Sequence, residues 1–156
     1  MNKIEGTNIW LGDIDDAENI AALDENKIDV VVNMAKGLYP PVYRNQEMIM
    51  FGMYDDGQAE DLTYYLAART VLELNKAGKN ILLHCYAGAS RTAAIATIVS
   101  TVLFKFDGTL YDQIKKAYDL VCDSRYECTY MLRRHVNHFV PVLKRLFEEN
   151  SIDIQL

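Results

Sequence analysis

Residues 81–92 read ILLHCYAGASRT. A thiol, Cys85, stands where one apolar run ends. Arg91 stands six positions on, where a second apolar run begins. Between them lie Tyr86, Ala87, Gly88, Ala89 and Ser90. Backbone N–H groups between a strand end and a helix start have no partner from secondary structure. If this segment curls around a point, those groups converge into an anion-binding nest. A helix starting near Ser90 or Arg91 aims the positive end of its dipole at the same point. Gly88 permits so tight a curl, and the small side chains of Ala87, Ala89 and Ser90 let an anion reach the backbone. Arg91 adds a planar fork that binds two phosphate oxygens at once.

The same groups favour thiolate over thiol at Cys85. A thiolate beneath a bound phosphate is a nucleophile aimed at phosphorus. The product is a phosphocysteine, which water then hydrolyses. Thr92 can donate its hydroxyl to the departing sulfur. The backbone and Arg91 take up the charge that a magnesium ion would otherwise carry, so this chemistry calls for no metal and no cofactor. His84 reads as a buried imidazole whose hydrogen bonds shape the loop, a structural role rather than proton transfer. Tyr86 is placed to line the pocket rim. The pattern His-Cys-x-x-Gly-x-x-Arg-Thr specifies five positions in nine. It is not a Walker loop, because G-x-x-x-x-G-K-[ST] is absent.

A leaving alkoxide or phenolate needs a proton, which a thiolate cannot supply. The stretch YDDGQAEDL, residues 54–62, offers two carboxylic acids, Asp55 and Asp56, in a glycine-containing loop. Loops beyond the carboxyl ends of strands can meet at one edge of a sheet. On these grounds alone the two aspartates compete.

The elements that must position these loops alternate. NIWLG (8–12), IDVVVNMA (28–35), EMIMFGMY (47–54) and NILLHC (80–85) read as strands. Asp13 caps a first helix carrying Ile14, Ala17, Ile20, Ala21 and Leu23 on one side. Residues 59–77 read as a helix with Leu62, Tyr65, Leu66, Ala68 and Leu72 on a shared face and Gly78 ending it. Residues 91–104 are apolar almost all round, which predicts a buried helix. A turn at Asp107-Gly108 precedes helices over 110–121 and 127–149, the last kinked or split at Pro141. Such alternation predicts an α/β domain with a mainly parallel central sheet and helices on both faces. The cysteine loop then lies between a buried strand and a buried helix.

The chain has 156 residues, half of them hydrophobic, and a formal net charge of −6. That predicts one domain over 1–156. No basic cluster marks a nucleic-acid face. No apolar stretch reaches the length of a membrane span, and the opening residues lack the apolar core of a signal peptide. Cys85, Cys122 and Cys128 make an odd count without C-x-x-C, which predicts a reducing intracellular setting, cytoplasmic, rather than a disulfide framework or zinc site. Cys122 and Cys128 are candidates to trap an oxidised Cys85 as a disulfide, a role that sequence spacing does not test. His135 and His138 read as surface or packing residues, not metal ligands.

HCYAGASRT resembles the signature of the cysteine-dependent phosphatases and is most similar to that of the dual-specificity protein phosphatases. IWLGDIDDAENIAAL followed by IDVVVNMA resembles that family's opening, and SRTAAIATIVSTVLFKFDGTLYDQIKKAYDLV resembles its helix pair after the phosphate loop. The resemblance implies hydrolysis of phosphotyrosine, with phosphoserine and phosphothreonine as further substrates, through a phosphocysteine. It also implies a phosphoprotein as the substrate partner. Aligning Asp61-Leu62 with the family's helix opening puts Asp56, rather than Asp55, on the acid. The family's Pro-Asn pair before the final helix is replaced here by Thr129-Tyr130, after Arg125. Asn33 is then a candidate to brace the phosphate loop in its place. Two rival readings keep the phosphate site. One changes the substrate to a phosphoinositide, an RNA 5′-triphosphate or a phosphoglucan, against which stand a loop without lysine and the acidic charge. The other is a phosphate-binding module without catalysis.

Overall fold

A computed structural model describes residues 1–39, 41–124 and 132–150. The short strand β1 (Asn2–Lys3) is followed by β2 (Ile9–Gly12), β3 (Val30–Ala35), β4 (Glu47–Met53) and β5 (Ile81–His84). They form one sheet in the order β1-β2-β5-β3-β4. β1 runs antiparallel to β2 and the other pairings are parallel. β5 is therefore central, and His84 is in register with Gly12 on one side and Asn33 on the other.

The central strands β3 and β5 are buried on both faces, as a covered parallel sheet requires. Ile9, Leu11, Val30, Val32, Ile81 and Leu83 face the larger core. Their neighbours Val31 and Leu82 face a smaller one, closed by Ala17, Leu23 and Ile28. Helices thus cover both faces, unequally. The larger side holds α3 (Asp61–Lys76), α4 (Arg91–Phe104), α5 (Leu110–Ser124) and α6 (Phe139–Glu149); a 3₁₀ segment, Arg133–His138, leads into α6.

α4 is the buried helix that its composition predicts. Ile95, Ile98 and Val99 are fully buried, each contributing roughly 1.5–3 kcal/mol over an exposed position. Two of its buried threonines satisfy their own hydroxyls: Thr97 and Thr101 donate to the carbonyls of Ala93 and Thr97, both at 2.8 Å. Lys105, at φ 44°, ends the helix in a left-handed cap.

Three elements depart from the sequence pattern. The first expected helix is two: α1 (Ile14–Glu18) and α2 (Ile20–Glu25) meet at Asn19. Asn19 closes one and caps the other, its Oδ1 accepting from Ala22 N at 3.1 Å. On α3 the buried face is Tyr64, Tyr65, Ala67, Ala68 and Val71, while Leu62 and Leu66 are exposed. The bulk of two tyrosines turned the helix toward a face that a count of leucines misses. Pro141 neither kinks nor splits a helix. It lies in the first turn of α6, where an intrahelical N–H would have no partner. The break falls earlier, where the 3₁₀ segment ends.

Candidate active site

β5 delivers Cys85 to the carboxyl edge of the sheet, where it is 1% exposed. Residues 86–90 form an irregular turn before α4 begins at Arg91. Gly88 takes φ 68°, the left-handed conformation that the curl requires and that only glycine adopts freely. The carbonyl of Tyr86 accepts from Ile14 N at 3.0 Å, which fastens the loop to the start of α1. The Tyr86 side chain is exposed, as a rim residue should be.

His84 is buried, and its Nδ1 lies 3.2 Å from the Cys85 carbonyl. A carbonyl only accepts, so Nδ1 carries the proton. Burial pushes this imidazole below its ordinary range, which keeps it neutral. His84 thus bonds the backbone at the foot of the loop.

Arg91 is 8% exposed. Its Nη1 donates to the carbonyl of Met53 at 2.9 Å, so the last residue of β4 holds the guanidinium. Its Nε lies 3.9 Å from Asp55 Oδ1 and has no hydrogen-bond partner among the described residues. The Thr92 hydroxyl is fully buried and likewise without such a partner. A buried donor left this way costs about 1–3 kcal/mol. Both donors lie where the loop meets the start of α4.

The loop after β4 brings Asp55 and Asp56 to the same edge, in different circumstances. Asp55 Oδ1 accepts from Ser90 Oγ at 2.5 Å and lies 3.1 Å from His135 Nε2. Arg134 Nη1 donates to the Asp55 carbonyl at 3.0 Å and stands 3.5 Å from its Oδ2. Burial alone would raise the Asp55 carboxyl, but hydrogen bonds from Ser90 and His135 and the charge of Arg91 outweigh it and hold it below the usual range. Asp56 is exposed, and its Oδ1 accepts from Gln58 N at 2.9 Å in a local turn. Asp55 is an anchored carboxylate; Asp56 is a carboxyl at the surface of the same loop.

The anchors come from the 3₁₀ segment. His135 is fully buried, with Nδ1 2.6 Å from Tyr64 Oη and Nε2 2.8 Å from Ser90 Oγ. His138 stacks on the Tyr64 ring at 4.0 Å, its Nε2 2.7 Å from the Gly57 carbonyl and its Nδ1 2.6 Å from Asp61 Oδ1. Gly57, at φ 73°, packs so closely that a Cβ there would sit 2.0 Å from the Arg134 carbonyl oxygen. Neither histidine is a surface residue without a task. Their three-residue spacing, read as part of a long helix, suits a 3₁₀ turn, where positions i and i+3 share one edge. Nothing local in the sequence signals their partners, which lie 45 or more positions away.

Asn33 does not brace the phosphate loop. Its Oδ1 accepts from Ala35 N at 2.8 Å and its Nδ2 donates to the Leu38 carbonyl at 3.5 Å, so it shapes its own turn after β3. Asn33 lies within β3 beside His84 but spends both ends of its amide locally, which strand position could not foretell. Arg125, Cys128, Thr129 and Tyr130 lie outside the described residues. Cys122 is half-buried on α5.

Residues 9–138 match the sequence profile of the family described as dual specificity phosphatase, catalytic domain. The chain belongs to that family. Among curated proteins, this dual specificity phosphatase domain is 26% identical over 99 residues to a probable dual specificity protein phosphatase of Dictyostelium discoideum, covering 63% of this chain and 46% of that one. It is 25% identical over 118 residues to human protein phosphatase Slingshot homolog 3, covering 72% of this chain and 17% of that one. The chain thus spans less than half the length of either relative. The crystal structure of human DUSP28 superposes with a TM-score of 0.80 at 15% identity, covering 96% of this chain and 99% of that one. That likeness shows the fold: a single α/β domain, as the alternation of elements predicts.

Proposed function

We propose that this domain is a cysteine-dependent protein phosphatase that hydrolyses phosphotyrosine, with phosphoserine and phosphothreonine as further substrates. The observation that carries the reading is a buried Cys85 at the foot of a Gly88-centred turn, ahead of a buried helix whose first residue is a fastened arginine. In this mechanism the amides of residues 86–91 and the Arg91 guanidinium hold the phosphoryl oxygens, and the dipole of α4 adds its positive end. The Cys85 thiolate attacks phosphorus and the ester oxygen leaves. Asp56 protonates that oxygen, which keeps a strongly basic alkoxide or phenolate from being expelled. Water then attacks the phosphocysteine, with Asp56 now accepting its proton and Thr92 donating to the departing sulfur.

Asp56 fits the acid better than Asp55. An acid must hold a proton at working pH, and Asp55 is kept ionised by three partners. Family membership and the likeness in name to curated dual specificity phosphatases favour a phosphoprotein substrate. Tyr86, Ala87, Ala89 and Ser90 offer no second cation for a multiply phosphorylated lipid.

The test is a substrate panel with the wild-type chain: phosphotyrosine, phosphoserine and phosphothreonine peptides, phosphoinositides, and RNA 5′-triphosphate. Acid quenching with labelled substrate should trap phosphate on Cys85. Turnover of a phosphoinositide or RNA with indifference to every phosphopeptide would reject the protein-substrate reading. Binding of phosphate without turnover of any substrate would favour a silent module.

A further inference from the structure

The described residues contain a buried polar chain that the reaction above leaves unused: Tyr64, His135, Ser90 and Asp55. Its proton order follows from the contacts. The Asp55 carboxylate can only accept, so the Ser90 hydroxyl donates to its Oδ1 at 2.5 Å. The contacts of His135 Nε2 with Ser90 Oγ, at 2.8 Å, and with Asp55 Oδ1, at 3.1 Å, then require the proton on Nε2. In a neutral imidazole Nδ1 must accept, and the Tyr64 hydroxyl stands 2.6 Å away to donate. Tyr64 and His135 are both fully buried, so water offers neither group an alternative. Burial pushes His135 below the ordinary imidazole range and raises Tyr64, consistent with a neutral pair.

We propose that His135, held in its Nε2–H form by Tyr64, is a positioning residue that fixes the Asp55-Asp56-Gly57 loop over the phosphate loop, and so keeps the general acid preassembled. This rests on the reading of Cys85 as nucleophile and Asp56 as acid. Three further contacts support it. Arg134 donates to the Asp55 carbonyl, its own carbonyl packs against Gly57, and His138 reaches the Gly57 carbonyl. The residue between these two held positions is Asp56. One chain of hydrogen bonds also ties Ser90, inside the phosphate loop, to the acid loop. The acid and the phosphate site are thereby set relative to one another through side chains rather than through a closing lid.

The experiment uses the full chain with two aryl phosphates, one with a good and one with a poor leaving group. His135→Ala should lower kcat about tenfold or more for the poor leaving group, within the range of general acid catalysis, and much less for the good one. Inhibition by vanadate, which reads the phosphate loop, should change little. On the poor leaving group, Asp56→Ala combined with His135→Ala should be no slower than Asp56→Ala alone, because a misplaced acid and a missing acid are one defect. Losses that multiply, or that are equal for both leaving groups, would overturn the proposal. Tyr64→Phe keeps the ring that stacks on His138 and removes only the hydroxyl. It should show the same leaving-group dependence, more weakly, and serves if His135→Ala does not fold. Nitrogen NMR of the wild-type chain should find the His135 proton on Nε2; a proton on Nδ1 instead would overturn the chain of bonds. Failure of the acid assignment is separately visible, since Asp56→Ala would then be indifferent to the leaving group while the nitrogen shifts still decide the tautomer.

Discussion

The loop after β5 and the loop after β4 leave the same edge of the sheet, and they are made differently. The first takes its shape from neighbours in sequence: a strand that ends at His84, a glycine at φ 68° and a helix that starts at Arg91. Its residues are mostly buried. The second alternates between exposed and half-buried positions, and its order comes from Arg134, His135 and His138, far along the chain. A site for charge can be assembled from backbone amides and one helix end, which are local. A proton donor must stay wet enough to titrate and still be aimed, so its fixing falls to groups outside its own loop.

The largest effect should come from the first loop. Cys85→Ser removes the thiolate and should lower kcat by at least about 10³-fold on any substrate. Binding of a phosphate mimic, measured by calorimetry, should survive. Comparable loss of binding would mean that the sulfur also builds the cup.

Exchanging the two aspartates sharpens the contrast inside the second loop. Asp56→Ala should lower kcat by about 10²-fold or more for poor leaving groups and little for good ones. Asp55→Ala should lower rates less selectively, and should also lower the melting temperature, because it strips partners from Ser90, His135 and Arg134. If Asp55→Ala carries the leaving-group signature instead, the assignment of the acid is reversed.

Gly57→Ala tests whether the outside grip matters. A methyl group would meet the Arg134 carbonyl and sit at a positive φ. We expect a stability loss of about 1–3 kcal/mol in urea titration, with a rate loss confined to poor leaving groups. An unchanged profile would show that the acid loop tolerates displacement.

The smallest effect is a pH dependence of stability. His84 and His135 are held below the ordinary imidazole range, chiefly by burial. The unfolded chain binds protons on these histidines from about pH 6.5 downward, while the native chain does not. Stability should therefore fall as the pH drops through that region and on toward their lower folded values. Asp55 acts later. Its folded value lies below that of the unfolded chain, so its contribution is present above about pH 4 and is lost as the pH falls through the folded value. Urea midpoints from about pH 8 down to about pH 2 should show both stages. A midpoint flat from pH 7.5 to 5 would contradict the buried neutral histidines.

The two loops also differ in how much of them could be read beforehand. The residues proposed for the reaction, Cys85, Gly88, Arg91 and Thr92, stand within eight positions, so their pattern shows in the chain itself. The buried run from Arg91 to Phe104 was equally plain, since a helix apolar on every side has nowhere else to go. The aspartates were visible as a pair, but telling the anchored one from the exposed one took the contacts of Ser90 and His135. Those histidines looked like residues of an ordinary helix. Asn33 looked like a brace for the phosphate loop and proved to bond only its own turn. In α3, leucines marked a face that tyrosines occupy. The histidines were missed because their partners are remote; Asn33, which bonds locally, is the exception.

The sequence by itself determined the family and the class of fold: alternating apolar runs demand a covered parallel sheet, and residues 9–138 carry the dual specificity phosphatase pattern, HCYAGASRT within it. Only the tertiary structure decided which aspartate is tied down, what Tyr64 and His135 are for, and where the last helix breaks. The physical reason is range. Periodicity and turn chemistry act over a few residues and leave a pattern in the chain. A hydrogen bond between positions 64 and 135 depends on packing that brings α3 and the 3₁₀ segment together, and it leaves no mark on either stretch alone.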